Sequence, residues 1–462
     1  MKKITTLLTA IIGMAFMNQV SATHVTVEVP TAGQLSSLVQ NANCDSITIS
    51  GNLDGNDFWF IREQMPNLIY LNIDKSIVPN NKLPNSGLSS KKTLQKVILP
   101  DNLETIGNSA FIYCSNLKDI TFPKSLVTIE YNAFYQSGLT EATLPDNLKD
   151  IGDAAFYECY NLKKVDFPEK LVSIGNNAFY QCNLSEIVFP DSLKTIGSYA
   201  FYKCQQLQKV IFPEKLEAIN NYAFSECFRL LTATLKSKAV PTISDNTFNF
   251  TKVFYVPEGT AKAYKDASYW SNLVIIDGDT PKKITVTLTT AGTLGEEILK
   301  QVDYVTDINE LVINGPLNDD DFYQIKQRTT NLISIDMTGA IIETIPNELF
   351  RARAALLEVK LPSVLKKVGG YAFYHCYGLT QISIPEGVTS IEDCAFYNCY
   401  SLKEIKLPTS LTEIKNSVFE YCYSLETVEI PDNIITIDNS TFYNCIYNHR
   451  TTKTNQKYPS VN

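Results

Sequence analysis

Cysteine has the most regular spacing among the residue types that could do chemistry. Nine of the eleven cysteines lie three residues after a recurring phenylalanine, at Cys114, Cys159, Cys182, Cys204, Cys227, Cys376, Cys399, Cys422 and Cys445. This cysteine column could form a disulfide ladder or bind a row of metal ions. Side chains in one column point the same way, and Ser137 occupies one of its positions. We therefore expect buried, reduced thiols that pack beneath a turn.

Tyrosine forms a second regular pattern. It directly follows the recurring phenylalanine at Tyr135, Tyr157, Tyr180, Tyr202, Tyr374, Tyr397 and Tyr443. A further set follows the cysteine column at Tyr160, Tyr377, Tyr400 and Tyr423. Rows of exposed rings suit stacking against sugars or binding of a protein, whereas a purely structural ladder would only cover and stiffen one wall. The first set is the candidate binding surface.

Other groups capable of catalysis or metal binding are few. The only histidines are His24, His375 and His449. His375 lies beside Cys376, but no carboxylate or second histidine recurs near it, as a metal site would need. The acidic runs 54–57 and 318–321 lack the spacing of a calcium-binding loop, and each precedes an apolar segment, so we expect helix N-caps. The sequence predicts no enzyme, no cofactor and no metal.

Charge and the N-terminus limit the partners and the location. The net charge is −9 without a lysine- or arginine-rich run, which argues against nucleic acid and anionic membranes as partners. Lys2 and Lys3 precede an apolar stretch at 4–16, and the small residues at 20–22 resemble a cleavage site, so residues 1–22 are predicted to be a signal peptide. That stretch of about 13 residues is too short to span a membrane. We expect export without membrane insertion of the mature chain.

The recurring phenylalanine belongs to a repeat of 22 or 23 residues. It stands at positions 111, 134, 156, 179, 201 and 224, in a degenerate copy at 248, and again at 350, 373, 396, 419 and 442. Within one unit, residues 162–167 alternate like a short strand, and residues 148–152 form a second apolar segment that ends in a glycine turn. Residues 155–162 have helical spacing and predict a short helical turn. Stacked units of this kind form a solenoid with parallel strands.

The repeats form two predicted tandem arrays. Residues 25–35 match residues 284–294 in type, which indicates duplication. The first array is predicted at 23–279 with an N-terminal cap at 23–88, and the second at 280–462 with a cap at 282–345. These caps would seal the first repeat of each array.

The two arrays differ in how they are expected to end. Residues 253–277 read as a strand, a turn and a short helix, which predicts a lid on the first array. The second array has no evident lid, and the polar residues after Cys445 show no obvious anchoring segment. An uncapped edge exposes unpaired strand groups, so self-association through this edge is one expected kind of contact.

The unit LPDNLKxIGxxAFYxCxNLxxVxFP resembles the BspA-like leucine-rich repeat proteins found on the surfaces of gut and oral anaerobic bacteria. Residues 253–270 are similar to the closing element of that family. Its members are thought of as surface adhesins, without catalytic residues to carry over. The resemblance implies a cell-surface, periplasmic or secreted adhesion or protein-binding scaffold, with a host or bacterial surface protein as its partner. The alternative is a glycan-binding accessory protein that uses the tyrosine rows.

Overall fold

The computed structural model describes residues 23–438 and 440–445, so the predicted signal peptide and the polar tail lie outside the described residues. Up to residue 277 the strands are β1 (His24–Val29), β2 (Ser46–Asn52), β3 (Tyr70–Asn72), β4 (Ser76–Ile77), β5 (Lys82–Leu83), β6 (Lys96–Ile98), β7 (Thr105–Ile106), β8 (Asp119–Thr121), β9 (Thr128–Ile129), β10 (Glu141–Thr143), β11 (Asp150–Ile151), β12 (Lys164–Asp166), β13 (Ser173–Ile174), β14 (Glu186–Val188), β15 (Thr195–Ile196), β16 (Lys209–Phe212), β17 (Ala218–Ile219), β18 (Thr232–Leu235), β19 (Val253–Val256) and β20 (Val274–Asp277).

From residue 283 onward the strands are β21 (Lys283–Thr287), β22 (Glu310–Pro316), β23 (Ser334–Ile341), β24 (Thr344–Ile345), β25 (Glu358–Lys360), β26 (Lys367–Val368), β27 (Gln381–Ile382), β28 (Ser390–Ile391), β29 (Glu404–Lys406), β30 (Glu413–Ile414), β31 (Thr427–Glu429) and β32 (Thr436–Ile437). The α-helices are α1 (Leu35–Leu38), α2 (Gly55–Gln64), α3 (Ala261–Asp266), α4 (Leu294–Leu299) and α5 (Asp319–Gln327). Short 3₁₀ turns cover Pro79–Asn81, Trp270–Asn272 and Val305–Asp307.

The strands form two groups, called here the first stack (residues 24–277) and the second stack (residues 283–445). Each stack has a main row of strands and, beside it, a second row of two-residue strands. In the first stack the second row runs from β5 to β17, and in the second stack the main row runs from β21 to β31. Neighbouring strands pair in parallel, one repeat apart. The predicted repeat solenoid is therefore confirmed.

Both predicted strands of the repeat are present. In β12, Val165 points inward and pairs with Ala142 of the preceding main-row strand, while its neighbours in the strand are exposed. In the second row, Ile151 pairs with Ile129 and Ile174 in the adjacent repeats. These inward side chains form a continuous apolar core in each stack.

The segment predicted as a short helix, residues 155–162, is instead a run of turns. Ala154 and Glu158 flank its start with left-handed backbone, each at φ 53°. These residues interrupt the helical path, so the N–H of Phe156 bonds to the carbonyl of Ala178 in the next repeat at 2.7 Å. The helical-turn prediction was wrong because the N–H groups of Phe156 and Glu158 bond to the next repeat, while Ala155, Tyr157 and Cys159 make only tight turns to the residue three positions earlier.

The acidic runs at 54–57 and 318–321 lie at the starts of helices α2 and α5. Asp54 caps α2 and Asn318 caps α5, and each forms a capping box with the residue three positions later, Asp57 or Asp321. The N-cap prediction is confirmed for both runs.

Residues 253–277 lie at the end of the first stack. Strands β19 and β20 extend its main row, and α3 lies between them. The buried Tyr264 hydroxyl donates to the Ser237 carbonyl at 2.7 Å, and the Trp270 indole N–H donates to the Pro241 carbonyl at 2.8 Å. The large rings of this segment therefore cover the last repeat with their polar atoms paired.

Candidate binding surface

Four tyrosines of the first stack form one row, called here the tyrosine ladder: Tyr135, Tyr157, Tyr180 and Tyr202. The rings of Tyr135 and Tyr157 are parallel with centroids 4.7 Å apart, and those of Tyr157 and Tyr180 are parallel at 4.5 Å. The last pair, Tyr180 and Tyr202, stacks at 5.1 Å. All four side chains are half-buried. The repeat period sets this spacing, since each ring continues the column of the repeat before it.

The stacked rings cover one another's faces and leave their edges exposed. Burial raises the pKa of Tyr157 to about 12, with Tyr180 contributing. The Tyr157 hydroxyl therefore stays protonated and able to donate a hydrogen bond at neutral pH. Gln136 donates to Glu158 beside the ladder at 2.6 Å, and the Lys203 ammonium lies 5.5 Å from the centroid of the Tyr202 ring. The surface combines a fixed row of phenol edges with a fringe of polar groups.

The predicted ladder of the second stack is less regular. Tyr374 and Tyr397 stack at 4.9 Å, but Glu420 occupies the next position of the column. Tyr443 is 43% exposed and contacts the ring of Tyr421 edge-on instead. The structure therefore brings together two of the three tyrosines predicted here, and Tyr443 lies apart from them.

Other groups surround the Tyr374 ring. The Arg351 guanidinium lies 5.3 Å from its centroid, and the His375 ring stacks on it at 4.0 Å. Tyr377 shares a hydrogen bond of 3.0 Å with the His375 Nδ1 atom. Burial lowers the pKa of His375, with Arg351 contributing, so the imidazole is mostly neutral at pH 7. This histidine is a packing group of the second stack.

The sequence patterns did not indicate a groove on the main row of the second stack. Its volume is about 780 Å³, and residues of β25, β27, β29 and β31 line it. Lys360 lies 3.6 Å from Glu358 and 3.8 Å from Asp336 across this face. Glu358, Lys360, Glu404 and Lys406 of this lining occupy outward positions of their strands. Alternation predicts that such positions are exposed, but it does not predict their shape.

The cysteine column is a structural feature. All eleven cysteines are free thiols, and the nine of the column each donate to a backbone carbonyl of the preceding repeat at 3.0–3.3 Å. Thr251 continues the column with a hydroxyl that donates to the Leu230 carbonyl at 2.6 Å. The column therefore selects a small side chain with a donor. Among the described residues, no group of three or more histidine, cysteine or acidic side chains could hold a metal ion.

The tyrosines after the cysteine column have two different environments. Tyr160 in the first stack is 53% exposed. Tyr377, Tyr400 and Tyr423 in the second stack contact Phe228 or Phe250 of the first stack. Repeat spacing placed these tyrosines in one column, but it did not indicate that aromatic rings of the other stack would cover them.

Comparison with known proteins identifies the repeat. A family model described as "BspA type Leucine rich repeat region (6 copies)" matches residues 81–191, 172–284 and 322–449. No curated protein matches the chain in sequence. Within the described residues, no helix combines the length and apolar character needed to cross a bilayer.

Several solved structures are similar to the chain. A leucine-rich cell surface protein from Faecalibacterium prausnitzii shares 21% identity at a TM-score of 0.34, over 90% of this chain and 88% of that one. A leucine-rich repeat protein from Bacteroides ovatus shares 23% identity at a TM-score of 0.27, over 76% and 82%. The pneumococcal vaccine antigen PcpA shares 18% identity at a TM-score of 0.26, over 75% and 74%.

Proposed function

The chain belongs to the BspA-type leucine-rich repeat family, and we propose on that premise that it is an exported, non-catalytic scaffold that binds a protein at a bacterial cell surface. The tyrosine ladder carries the proposal. Its rings are held in place by the repeat itself, so they lose little conformational freedom when a partner binds. Tyrosine is also among the residues that contribute most to protein interfaces.

The stacking distances favour a protein over a glycan as the partner. A sugar that stacks on an aromatic ring needs a free ring face. Along the ladder the inner faces are already covered by neighbouring rings at 4.5–5.1 Å. The exposed parts are ring edges and hydroxyls, which suit hydrogen bonds and edge contacts with protein groups. A glycan would have to bind through hydroxyls alone.

Export and surface location rest on the predicted signal peptide and on the family. They are tested by finding the mature N-terminus near Thr23 by mass spectrometry, and by protease accessibility of the protein on intact cells. Full protection from added protease in intact cells, with residues 1–22 retained, would contradict this part of the proposal.

The ladder is tested with two triple variants of the mature chain, using purified extracellular-matrix proteins, bacterial surface proteins and a glycan array as probes. Tyr157→Phe, Tyr180→Phe and Tyr202→Phe together keep the stacked rings but remove three hydroxyls. We expect the affinity for the bound protein to fall about tenfold or more, since each hydrogen bond contributes roughly 0.5–1.5 kcal/mol. The triple serine variant should abolish binding.

Tyr304→Ser is the matched control, because Tyr304 is 68% exposed and lies in the second stack. It should bind like the wild type. Unchanged affinity in the triple serine variant would remove the ladder from the binding surface. Saccharide binding on the array that depends on the ladder, with no protein bound, would establish the glycan alternative instead.

A further inference from the structure

The two stacks touch through residues that their repeats do not need for their own cores. The Phe228 ring lies parallel to the Tyr400 ring at 5.6 Å and to the Tyr423 ring at 6.2 Å. Phe250 packs edge-on against Tyr400 at 5.0 Å and against Tyr377 at 5.7 Å. These five rings form what we call the aromatic seam. Neither phenylalanine belongs to the apolar core of the first stack.

A second set of contacts continues the seam. Val253, Val274 and Ile276 from the end of the first stack form an apolar cluster with Ile333 and Ala355 of the second stack. This cluster is separate from the core of either stack. The strands that extend the end of the first stack therefore also bury apolar side chains against its neighbour.

Polar groups pair across the same boundary. The Arg229 guanidinium lies 3.4 Å from a Glu426 carboxylate oxygen, and the Ser401 hydroxyl donates to the Phe228 carbonyl at 3.4 Å. Going forward along the first stack, from Phe228 to Val274, the partners run backward along the second, from Glu426 to Ile333. The two stacks therefore lie side by side in opposite directions.

The sequence differs between the two stacks where the contact requires it. The second residue after the cysteine column is Gly378, Ser401 or Ser424 in the second stack, and all three are buried. In the 23-residue repeats of the first stack the same position holds Asn116, Asn161, Gln206 or Arg229, and the 22-residue repeats have the core residues Leu139 and Leu184 there instead. The small residues of the second stack let the backbone of the first stack approach closely. The larger residues of the first stack lie where its own surface is open to solvent or, at Arg229, where it forms the other side of the contact. The local sequence is thus consistent with the contact between the stacks.

From these contacts we infer that the stripe formed by Tyr377-Gly378, Tyr400-Ser401 and Tyr423-Ser424 is an internal docking surface whose occupant is the end of the first stack. Its occupation makes the two stacks one body. Domains joined by a short linker move relative to each other unless an apolar interface holds them, and the aromatic seam together with the apolar cluster around Val253 supplies apolar contacts across this boundary. The stripe is therefore closed to outside partners, and the two faces that carry tyrosine rows keep one fixed relative orientation.

This inference does not depend on the proposed function and is tested in solution without a ligand. Phe228→Ser with Phe250→Ser removes the first-stack rings. Ser401→Arg places a bulky side chain on the second-stack side of the seam. The equivalent position of the first stack already holds an arginine, Arg229, so the repeat itself tolerates this side chain. Small-angle X-ray scattering of the mature chain should give a larger radius of gyration and maximum dimension for both variants than for the wild type.

The matched controls are Tyr160→Ser and Asn161→Arg, which make the same changes at exposed positions of the first stack. They should scatter like the wild type. Hydrogen exchange at residues 400–402 should be faster in the seam variants and unchanged in the controls, and circular dichroism establishes that each variant is folded. If the wild type already scatters as two independently moving bodies, or if neither folded seam variant expands, the docking surface does not exist.

Discussion

The Asp57 carboxylate accepts a hydrogen bond from the backbone N–H of Leu35 at 2.9 Å, and its second oxygen accepts from the N–H of Gly33 at 2.7 Å. Asp321 makes the same pair of bonds to Gly292 and Leu294 at 2.6 and 2.9 Å. Both carboxylates are buried. In each stack one acidic residue thus completes the capping box of a helix and also binds the loop that follows the first strand.

Replacing Asp57 by Asn should lower the free energy of unfolding by about 1–3 kcal/mol, because an amide NH₂ would then face backbone donors that have no other acceptor. Urea unfolding followed by circular dichroism measures the change. Asp321→Asn should cost about the same. Asp320→Asn, at an exposed position of the same helical turn, should change stability by less than about 0.5 kcal/mol. Equal effects of Asp320→Asn and Asp321→Asn would contradict this role.

The main features of the repeat could be predicted from the sequence because they are local and recur many times. Val165 alternates with polar neighbours, and Asp54 precedes an apolar helix, so strand and N-cap followed from short patterns. The turns around Phe156 did not, because Ala-Phe-x-x-Cys has helical spacing whereas the N–H groups of Phe156 and Glu158 bond to the next repeat. The backbone at Ala154 is left-handed, and because Ala154 is not a glycine, the sequence does not indicate this conformation.

The contacts between the stacks could not be predicted for a different reason. Phe228 and Tyr400 are far apart in the chain and lie in different repeats, and repeat patterns describe only the contacts between neighbouring repeats. The aromatic residue at position 228 differs from Gln205 one repeat earlier in the same column. That change from glutamine to phenylalanine could have indicated a contact at this position, but it did not identify the residues that Phe228 contacts.

The cysteine column should be unreactive in the folded protein. Burial raises the pKa of Cys376 to about 12 and that of Cys204 still higher, and only thiolates react quickly with alkylating reagents. Cys394 lies outside the column and is partly exposed, so it should react first at pH 8. Iodoacetamide labelling with peptide mass spectrometry, before and after denaturation, measures this order. Several disulfides within the column of the exported protein would contradict the expectation.

Glu392 should make stability depend on acid pH. Hydrogen bonds from Lys415 at 2.7 Å and Lys367 at 2.9 Å lower its pKa to about 2 from about 4.5. A depressed carboxyl pKa stabilises the fold above the unfolded value, and this contribution is lost as the pH falls from about 4.5 to about 2. Glu392→Gln should therefore cost about 1–3 kcal/mol at pH 7 and little at pH 2.

Unfolding by urea at several pH values measures the Glu392 effect. Glu413→Gln is the control, because Glu413 lies 3.8 Å from Lys415 and its side chain is 52% exposed. Its loss should cost less than about 1 kcal/mol at any pH. A Glu392→Gln penalty that stays constant from pH 7 to pH 2 would mean that the hydrogen-bonded carboxylate is not its source.

In each stack a basic side chain, the buried Lys91 or the half-buried Arg353, hydrogen-bonds to carbonyls at the C-terminal end of a helix of the predicted N-terminal cap. The Lys91 ammonium donates to the Met65 carbonyl and, at 3.2 Å, to the Arg62 carbonyl at the end of α2. In the second stack, Arg353 donates in the same way to the Lys326 carbonyl of α5 at 3.0 Å, and also to the Thr329 carbonyl. Each side chain donates to carbonyls at a helix end, where intrahelical donors run out, and the Met65 and Thr329 carbonyls also accept the backbone N–H of Leu68 and Leu332.

Because lysine and arginine perform the same task in the two stacks, Lys91→Arg should be tolerated within about 1 kcal/mol. Lys91→Met should cost about 1–3 kcal/mol, because the Arg62 carbonyl loses its donor and Pro66 has no N–H to replace it. Methionine keeps the length and apolar stem of the side chain, so the comparison isolates the donors. Lys92→Met, at the exposed neighbouring position, is the control and should be nearly neutral. Chemical unfolding gives the free energies, and hydrogen exchange should speed up in α2 for Lys91→Met alone. If Lys91→Met is as stable as Lys91→Arg, then residue 91 stabilises the fold through packing of its apolar stem and not through hydrogen bonds to the end of α2.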